Sequence, residues 1–233
     1  MTMRWNIMLA VMLGFVILAG SNSLALTHKF NIETGAWTND ALWYSGVPTA
    51  AVNELAIIGR SSEDITCTIG SGDSAVAYNF YVSRETASGD TTTLKINPEG
   101  RLDISGSALF GYTAGATGIV TVAGGILNCG LKDLSLGFLE GSYGILNVSS
   151  GSVTNNKLWV GRRTGTTKTT GEVNLSGGLI FSQGDTLVGA HAGCTGIVNQ
   201  TGGTLNGGGN KLAIGNQGIG TVTLSGGTIT NVK

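Results

Sequence analysis

Apolar and polar residues alternate in short runs along this chain, and from Gly111 onward the runs repeat. An apolar residue recurs at one position of each repeat, namely Val120, Leu146, Val173, Val198 and Val222. Two residues later stand Val122, Val148, Leu175, Gln200 and Leu224, and the position between the two series holds Thr121, Asn147, Asn174, Asn199 and Thr223. This alternation predicts strands whose apolar side chains point inward. Gln200 is polar in an inward series. Either its side chain bonds to a backbone group at a corner, or it marks a turn of the repeat that departs from the others.

Glycines divide the repeats at regular intervals. The opening glycines are Gly111, Gly137, Gly161, Gly189 and Gly215, and a second glycine-rich corner follows each first strand. Further apolar series predict two more strands, the first with Leu127, Val153, Ile180, Leu205 and Ile229 and the second with Leu134, Leu158, Thr186 and Leu212. Repeats of this size are typical of a solenoid. We predict an all-β fold: a right-handed, single-stranded parallel β-helix with three short strands per coil of about 26 residues.

The part before the regular repeats is predicted to form earlier coils and a cap. Residues 61–110 alternate without clean repeats and are interpreted as irregular coils, while residues 111–233 form the regular ones. Residues 26–60 are interpreted as an N-terminal capping segment followed by a first strand. Trp37 and Trp43 lie in this segment, and either they cover the terminal rung or their rings form a platform for sugars.

Residues 1–25 have the layout of a secretory signal peptide. Arg4 precedes an unbroken apolar run over residues 7–19, and small residues follow at Ser23 and Ala25. The run is shorter than the roughly 20 residues of a spanning helix. We therefore expect cleavage near Ala25, export, and no membrane span in the mature chain.

The chain stops at Lys233, partway through the fifth regular repeat. An uncovered last coil would expose apolar core and strand edges. Two expectations follow: either the chain is a fragment with further coils or a C-terminal domain missing, or the last coil makes an end-to-end contact.

The composition of the chain argues against nucleic-acid partners and against metal or cofactor sites. The net charge is −1 and only 12% of the residues are charged, so no nucleic-acid partner is expected. The three cysteines, Cys67, Cys129 and Cys194, match no zinc or redox motif, and we predict no metal or cofactor site.

The pattern from Gly215 to Ile229, G-x-x-G-x-G-x-V-x-[VL]-[ST]-G-G-x-[LI], resembles the passenger-type β-helix repeats of bacterial autotransporters. It is also similar to repeats of large exported bacterial proteins that carry PEP-CTERM sorting tails. The N-terminal segment that contains Trp37, Trp43, Gly46 and Pro48 is similar to segments that precede such β-helices. The resemblance implies an extended protein associated with the outer membrane or secreted.

Candidate chemistry is sparse, and no catalytic residue is predicted. The carboxylates of Asp133 and Asp185 fall two coils apart at corners where we expect them to be solvated. Trp159 should point outward beside a basic corner, so the predicted contact patch comprises Trp159, Arg162, Arg163 and Lys168, with Trp37 and Trp43 as further candidates. The first hypothesis is a non-catalytic structural or adhesive segment whose partner is an extracellular glycan or cell-surface component. The alternative is a β-helix that binds or degrades acidic glycans.

Overall fold

A computed structural model describes residues 26–30, 34–49, 54–59, 64–162 and 168–233. The predicted signal peptide with Ala25, and Arg163 of the contact patch, lie outside the described residues. Strands make up 57% of the described residues, and they form a β-solenoid of about seven turns with about 26 residues per turn. The prediction of an all-β, parallel solenoid is therefore confirmed. A single turn of 3₁₀ helix, Asp40–Leu42, lies in the N-terminal segment.

The described residues contain 22 strands. In chain order they are β1 (Thr27–Phe30), β2 (Gly35–Ala36), β3 (Trp43–Tyr44), β4 (Leu55–Ile58), β5 (Ile65–Ile69), β6 (Ser74–Ala77), β7 (Asn79–Val82), β8 (Thr91–Ile96), β9 (Arg101–Ile104), β10 (Ala108–Phe110), β11 (Thr117–Asn128), β12 (Leu134–Leu136), β13 (Tyr143–Asn155), β14 (Leu158–Val160), β15 (Thr170–Leu175), β16 (Leu179–Ser182), β17 (Thr186–Val188), β18 (Thr195–Gln200), β19 (Thr204–Asn210), β20 (Leu212–Ile214), β21 (Ile219–Leu224) and β22 (Thr228–Val232).

The strands form two long sheets, each built by pairing a strand with its counterpart one turn later. A nine-stranded sheet has the order β20-β17-β14-β12-β10-β7-β4-β1-β3, and the thirteen-stranded sheet is built around β2-β5-β8-β11-β13-β15-β18-β21. Pairing is parallel throughout the described strands except between β1 and β3, which run antiparallel. Because each strand bonds to the turns before and after it, the backbone hydrogen bonds run along the solenoid axis.

The register places the predicted inward series on top of one another. Val120 pairs with Leu146, Leu146 with Val173, Val173 with Val198, and Val198 with Val222. The series also continues backward, because Leu94 pairs with Val120 and Cys67 pairs with Leu94. The first four members of the predicted series and both added residues are buried, so they line a continuous core.

The corner after the first strand differs between early and late turns. The sequence predicts a break at Gly124-Gly125, yet β11 and β13 each run through this corner with a shift of register. Gly124 and Gly151 take positive φ there, which makes an irregularity within one long strand. In the later turns Gly177 and its counterparts separate two strands, as predicted.

Two glycines of each turn meet at the opening corner. Gly137 has φ of 71°, a conformation that side chains disfavour. Gly144 lies in β13 with its Cα against this corner, and a Cβ there would run into the carbonyl oxygen of Phe110 and the amide nitrogen of Gly137. The same pairing recurs between Gly189 and Gly196. The repeated glycines therefore shape the corner.

The N-terminal end of the core is filled with aromatic rings. Trp37 and Trp43 are only 1% and 4% exposed, and their ring centroids are 4.7 Å apart in an edge-to-face arrangement. Phe30 and Phe80 pack against them. The indole Nε1–H of Trp43 donates to the carbonyl oxygen of Trp37 at 2.7 Å. Neither ring face is open to a ligand, so the idea of a sugar platform at Trp37 and Trp43 is wrong.

Gln200 is buried in its apolar series and bonds to corner backbone groups. Its Nε2 donates to the carbonyl oxygens of Gly203 at 3.2 Å and Thr228 at 3.0 Å. The first of the two explanations for this residue is therefore confirmed. Its Oε1 has no hydrogen-bond partner.

Candidate ligand-contact surface

Aromatic and arginine side chains stack along the outer flank of the nine-stranded sheet. We call this set the arginine–aromatic column, and it comprises Tyr81, Arg84, Tyr112, Phe138, Trp159 and Arg162. Tyr112, Phe138 and Arg162 each follow the opening glycine of their turn, so the repeat itself places them one above another. Tyr81 lies in β7 and Trp159 in β14, and the residues on either side of each of them face inward. The column therefore follows from the periodicity of the chain.

Three rings of the column, those of Tyr81, Tyr112 and Phe138, stack face to face. Tyr81 and Tyr112 are stacked with centroids 5.1 Å apart, and Tyr112 and Phe138 are stacked at 5.5 Å. The Arg84 guanidinium lies 5.2 Å from the centroids of both tyrosine rings. Burial raises the pKa of Tyr81, and the charge of Arg84 only partly offsets this. Because ring faces are already occupied, the column presents ring edges and guanidinium groups to its surroundings.

Trp159 and Arg162, both predicted contact residues, lie together. The Arg162 guanidinium carbon is 4.9 Å from the Trp159 ring centroid and 5.7 Å from that of Phe138. One of its N–H groups also donates to Ser135 Oγ at 3.1 Å. Trp159 points outward as predicted, but it is half-buried against Leu187, Ala190 and Ala213. It is therefore a support for Arg162 more than an open platform.

Lys168 is exposed, and its side chain makes no hydrogen bond or ion pair within the described residues. Its carbonyl oxygen accepts a hydrogen bond from the amide of Gly141 on the preceding turn. Of the three described residues of the predicted patch, the structure thus brings together Trp159 and Arg162.

A cavity of about 290 Å³ opens beside Arg162, and we call it the side cavity. Its lining residues are Gly106, Ser107, Leu109, Leu131, Lys132, Asp133 and Arg162. Lys132 is exposed, and neither Lys132 nor Arg162 forms an ion pair with a carboxylate in the described part of the chain. Both cations are available to a ligand in this cavity.

Asp133 is held in place by three donors from the next turn. Its Oδ2 accepts from the Trp159 indole at 3.1 Å, and its Oδ1 accepts from Asn156 Nδ2 at 3.0 Å and from the Lys157 amide at 3.3 Å. Asp185 repeats one of these contacts, since its Oδ1 accepts from the Lys211 amide at 3.3 Å. The expectation of merely solvated corners is wrong for Asp133, which orders the corner and the Trp159 ring.

A second cavity of about 370 Å³ lies on the other side of the Leu131–Lys132 corner. Its lining residues are Val76, Asp103, Ile104, Ser105, Asn128, Cys129, Gly130, Leu131 and Lys132. Asp103 accepts two hydrogen bonds of 2.6 Å from Arg101 and one of 2.6 Å from Asn128. Burial alone would raise the pKa of Asp103, but these hydrogen bonds outweigh it and lower the pKa. Leu131, with 74% of its surface exposed, stands between the two cavities.

Sequence reasoning missed Ser107, Leu131 and Lys132. They belong to corners without a repeating pattern, and they meet Arg162 only because successive turns stack. The isolated apolar Leu131 beside Lys132 and Asp133 was the one available signal.

Among the described residues, no three His, Cys, Asp or Glu side chains are grouped so that they could hold a metal ion. No helix in the described ranges has the length and apolarity to cross a membrane. Comparison with protein-family models, with curated proteins and with solved structures finds no match.

Proposed function

We propose that this chain is an exported, non-catalytic adhesive segment of a bacterial surface or secreted protein. In this proposal the solenoid is a rigid support, wound right-handed with three short strands per turn, and the flank that carries the arginine–aromatic column is the contact surface. The partner is an extracellular glycan or another component of a cell surface.

The observation that carries the proposal is the stacking of Arg162 on Trp159 at the edge of the side cavity. A guanidinium held between rings is ordered before a partner arrives, so little side-chain entropy is lost on binding. A continuous cluster of buried residues lies inside the solenoid and supports the flank. A rigid scaffold with a polar, partly aromatic flank suits adhesion.

The second candidate is a carbohydrate-binding or polysaccharide-degrading β-helix, and the side cavity favours its binding form. Cleavage of a glycosidic bond uses a pair of carboxylates that flank the bond. The lining of the side cavity contributes one carboxylate, that of Asp133, and its oxygens already accept three hydrogen bonds. The geometry thus supports retention of a glycan better than its hydrolysis.

Export and adhesion are tested together on the full chain. Expressed in a bacterium with its N-terminus intact, the protein should be recovered outside the cytoplasm, with mass spectrometry placing the new N-terminus next to Ala25. The recovered protein should bind a subset of a glycan array, and Trp159→Ala should weaken that binding. An uncleaved product in the cytoplasm together with an empty array would refute the proposal.

A further inference from the structure

We infer that the side cavity binds an acidic saccharide, with the ligand carboxylate held between Arg162 and Lys132. This inference rests on the adhesive function proposed above and names its ligand class and its site. It moves the contact away from the corner of residues 163–168 and toward the preceding turns, where Ser107, Leu131 and Lys132 lie.

The two cations supply the specificity for an acid. Arg162 uses one N–H for Ser135, and the remaining donors of its planar fork match the two oxygens of a carboxylate. The rings of Trp159 and Phe138 hold the guanidinium in place. Lys132 adds a second positive charge on the same lining and has no ion pair among the described residues.

Asp133 gives the same cavity an acceptor for hydroxyl groups. Three donors fix the orientation of its carboxylate. Oδ1 already accepts two hydrogen bonds, and Oδ2 accepts one and can accept another. A cavity whose lining carries both cationic donors and a fixed acceptor matches a ring that carries both a carboxylate and hydroxyls. A simple inorganic anion would use only the cationic donors.

The apolar part of the lining fits the C–H face of a sugar. Leu109 and Leu131 belong to the side cavity, and Leu131 continues into the second cavity. A volume of about 290 Å³ is at the lower end of small-molecule sites, roughly 300 to 1,000 Å³, which suits one ring. A longer saccharide can pass over Leu131 toward the second cavity, so an oligomer should bind more tightly than a single sugar acid.

The test is calorimetric titration of the purified protein with a trisaccharide of uronic acid and with the neutral trisaccharide of the same linkage. The acidic trisaccharide should bind, and the neutral one should bind about tenfold or more weakly. Arg162→Gln and Lys132→Gln should each weaken acidic binding by about tenfold, because each removes a charged hydrogen bond. Lys95→Gln removes an exposed lysine from the other sheet and should change nothing. Equal binding of both saccharides, or unchanged binding by both cavity variants, would overturn the inference.

Arg162 also supports the column, so a second variant keeps the test independent of folding. Leu131 is exposed, and Leu131→Glu places a negative charge at the cavity without disturbing the core. It should weaken acidic binding by about tenfold, while Leu131→Gln should keep most of it. If the Leu131→Glu variant binds the acidic trisaccharide as tightly as the unchanged protein does, the saccharide does not bind in the side cavity.

Competition with inorganic sulfate separates a saccharide site from a general anion site. Sulfate should displace the acidic trisaccharide only at concentrations well above that of the saccharide, and displacement at equal concentrations would overturn the saccharide assignment.

If an exported protein binds another glycan on the array and the cavity variants leave that binding unchanged, the adhesive function stands and this site is wrong. If export and array binding both fail, the titration with the uronic acid trisaccharide still decides the cavity by itself.

Discussion

The indole Nε1–H of Trp159 donates a 3.1 Å hydrogen bond to the carboxylate of Asp133, which lies one turn earlier in the solenoid. This bond joins two turns on the outer flank and fixes the ring on which Arg162 stacks. The hydrogen bond therefore connects the conformation of the Asp133 corner with the position of the Arg162 guanidinium.

The first prediction concerns this bond. Trp159→Phe keeps an aromatic ring but loses the donor, and Asp133→Ala loses the acceptor. A double-mutant cycle over the free energy of unfolding, measured with urea, should give a coupling of about 1 kcal/mol. Tyr143→Phe combined with Asp133→Ala is the control, because the Tyr143 hydroxyl makes no hydrogen bond in the described residues. A coupling as small as that of the control would show that the bond contributes nothing to stability.

The second prediction concerns the glycine corner. Gly144→Ala should lower the free energy of unfolding by about 2 to 3 kcal/mol, because the new Cβ meets backbone atoms of Phe110 and Gly137 that cannot move aside. Ser150→Ala, at an exposed position of the same strand, should cost less than about 0.5 kcal/mol. Equal denaturation midpoints for the two variants would mean that the corner relaxes freely.

The third prediction concerns Gln200. Gln200→Leu should change the free energy of unfolding by less than about 1 kcal/mol, because the leucine removes a buried Oε1 that has no partner. The Gly203 carbonyl also keeps its bond from the Thr228 amide. Gln200→Ala leaves a cavity and should cost about 2 kcal/mol. If the leucine variant is the less stable of the two, the side-chain amide bonds matter more than the packing.

The fourth prediction concerns the thiols. Burial raises the pKa of Cys129 to about 12 and that of Cys67 well above its ordinary range, so almost no thiolate exists at pH 8. Cys194 is buried as well, and all three cysteines are free. A thiol reagent at pH 8 should find no rapidly reacting cysteine in the native protein and three after unfolding in guanidinium. Rapid labelling of the native protein at Cys67 or Cys129 would contradict this burial.

The fifth prediction concerns pH. The pKa of Asp103 is lowered on folding, so its ion pair with Arg101 stabilises the folded protein. This stabilisation is fully present above the pKa of Asp in the unfolded chain, about 3.9, and it is lost as the pH falls through the folded pKa of Asp103. Asp103→Asn should therefore cost about 0.5 to 1 kcal/mol at pH 7 and nothing well below pH 3, as followed by urea midpoints at several pH values. Arg101→Gln should show the same pH dependence, and a cost that does not change between pH 7 and pH 3 in either variant would rule out the ion pair as its source.

Much of the core was predictable because each turn repeats the same pattern. The series that contains Val120 and Val198 was readable from spacing alone. The earlier turns were harder to align, because Ser83 takes the place of an opening glycine with φ of 63°. Its hydroxyl accepts a hydrogen bond from the Tyr112 amide, an interaction that a glycine at this position could not make.

The candidate site was predictable only where its residues are close in the chain. Trp159 and Arg162 lie three residues apart, so the sequence could place them together. Ser107 and Lys132 reach Arg162 through stacking of successive turns, and no spacing rule connects their corners. Asp133 was missed as a partner of Trp159 for the same reason.

The orientation of the backbone hydrogen bonds has a mechanical consequence. Each turn adds about 4.8 Å to the axis but contains about 26 residues, which is roughly 90 Å of extended chain. Force along the axis is parallel to the hydrogen bonds and separates one turn from the next bond by bond, whereas force along the strands loads all of the bonds of a turn at once. Tension on such a rod would therefore release stored length one turn at a time, so that a tether made of it would yield gradually under load before it broke.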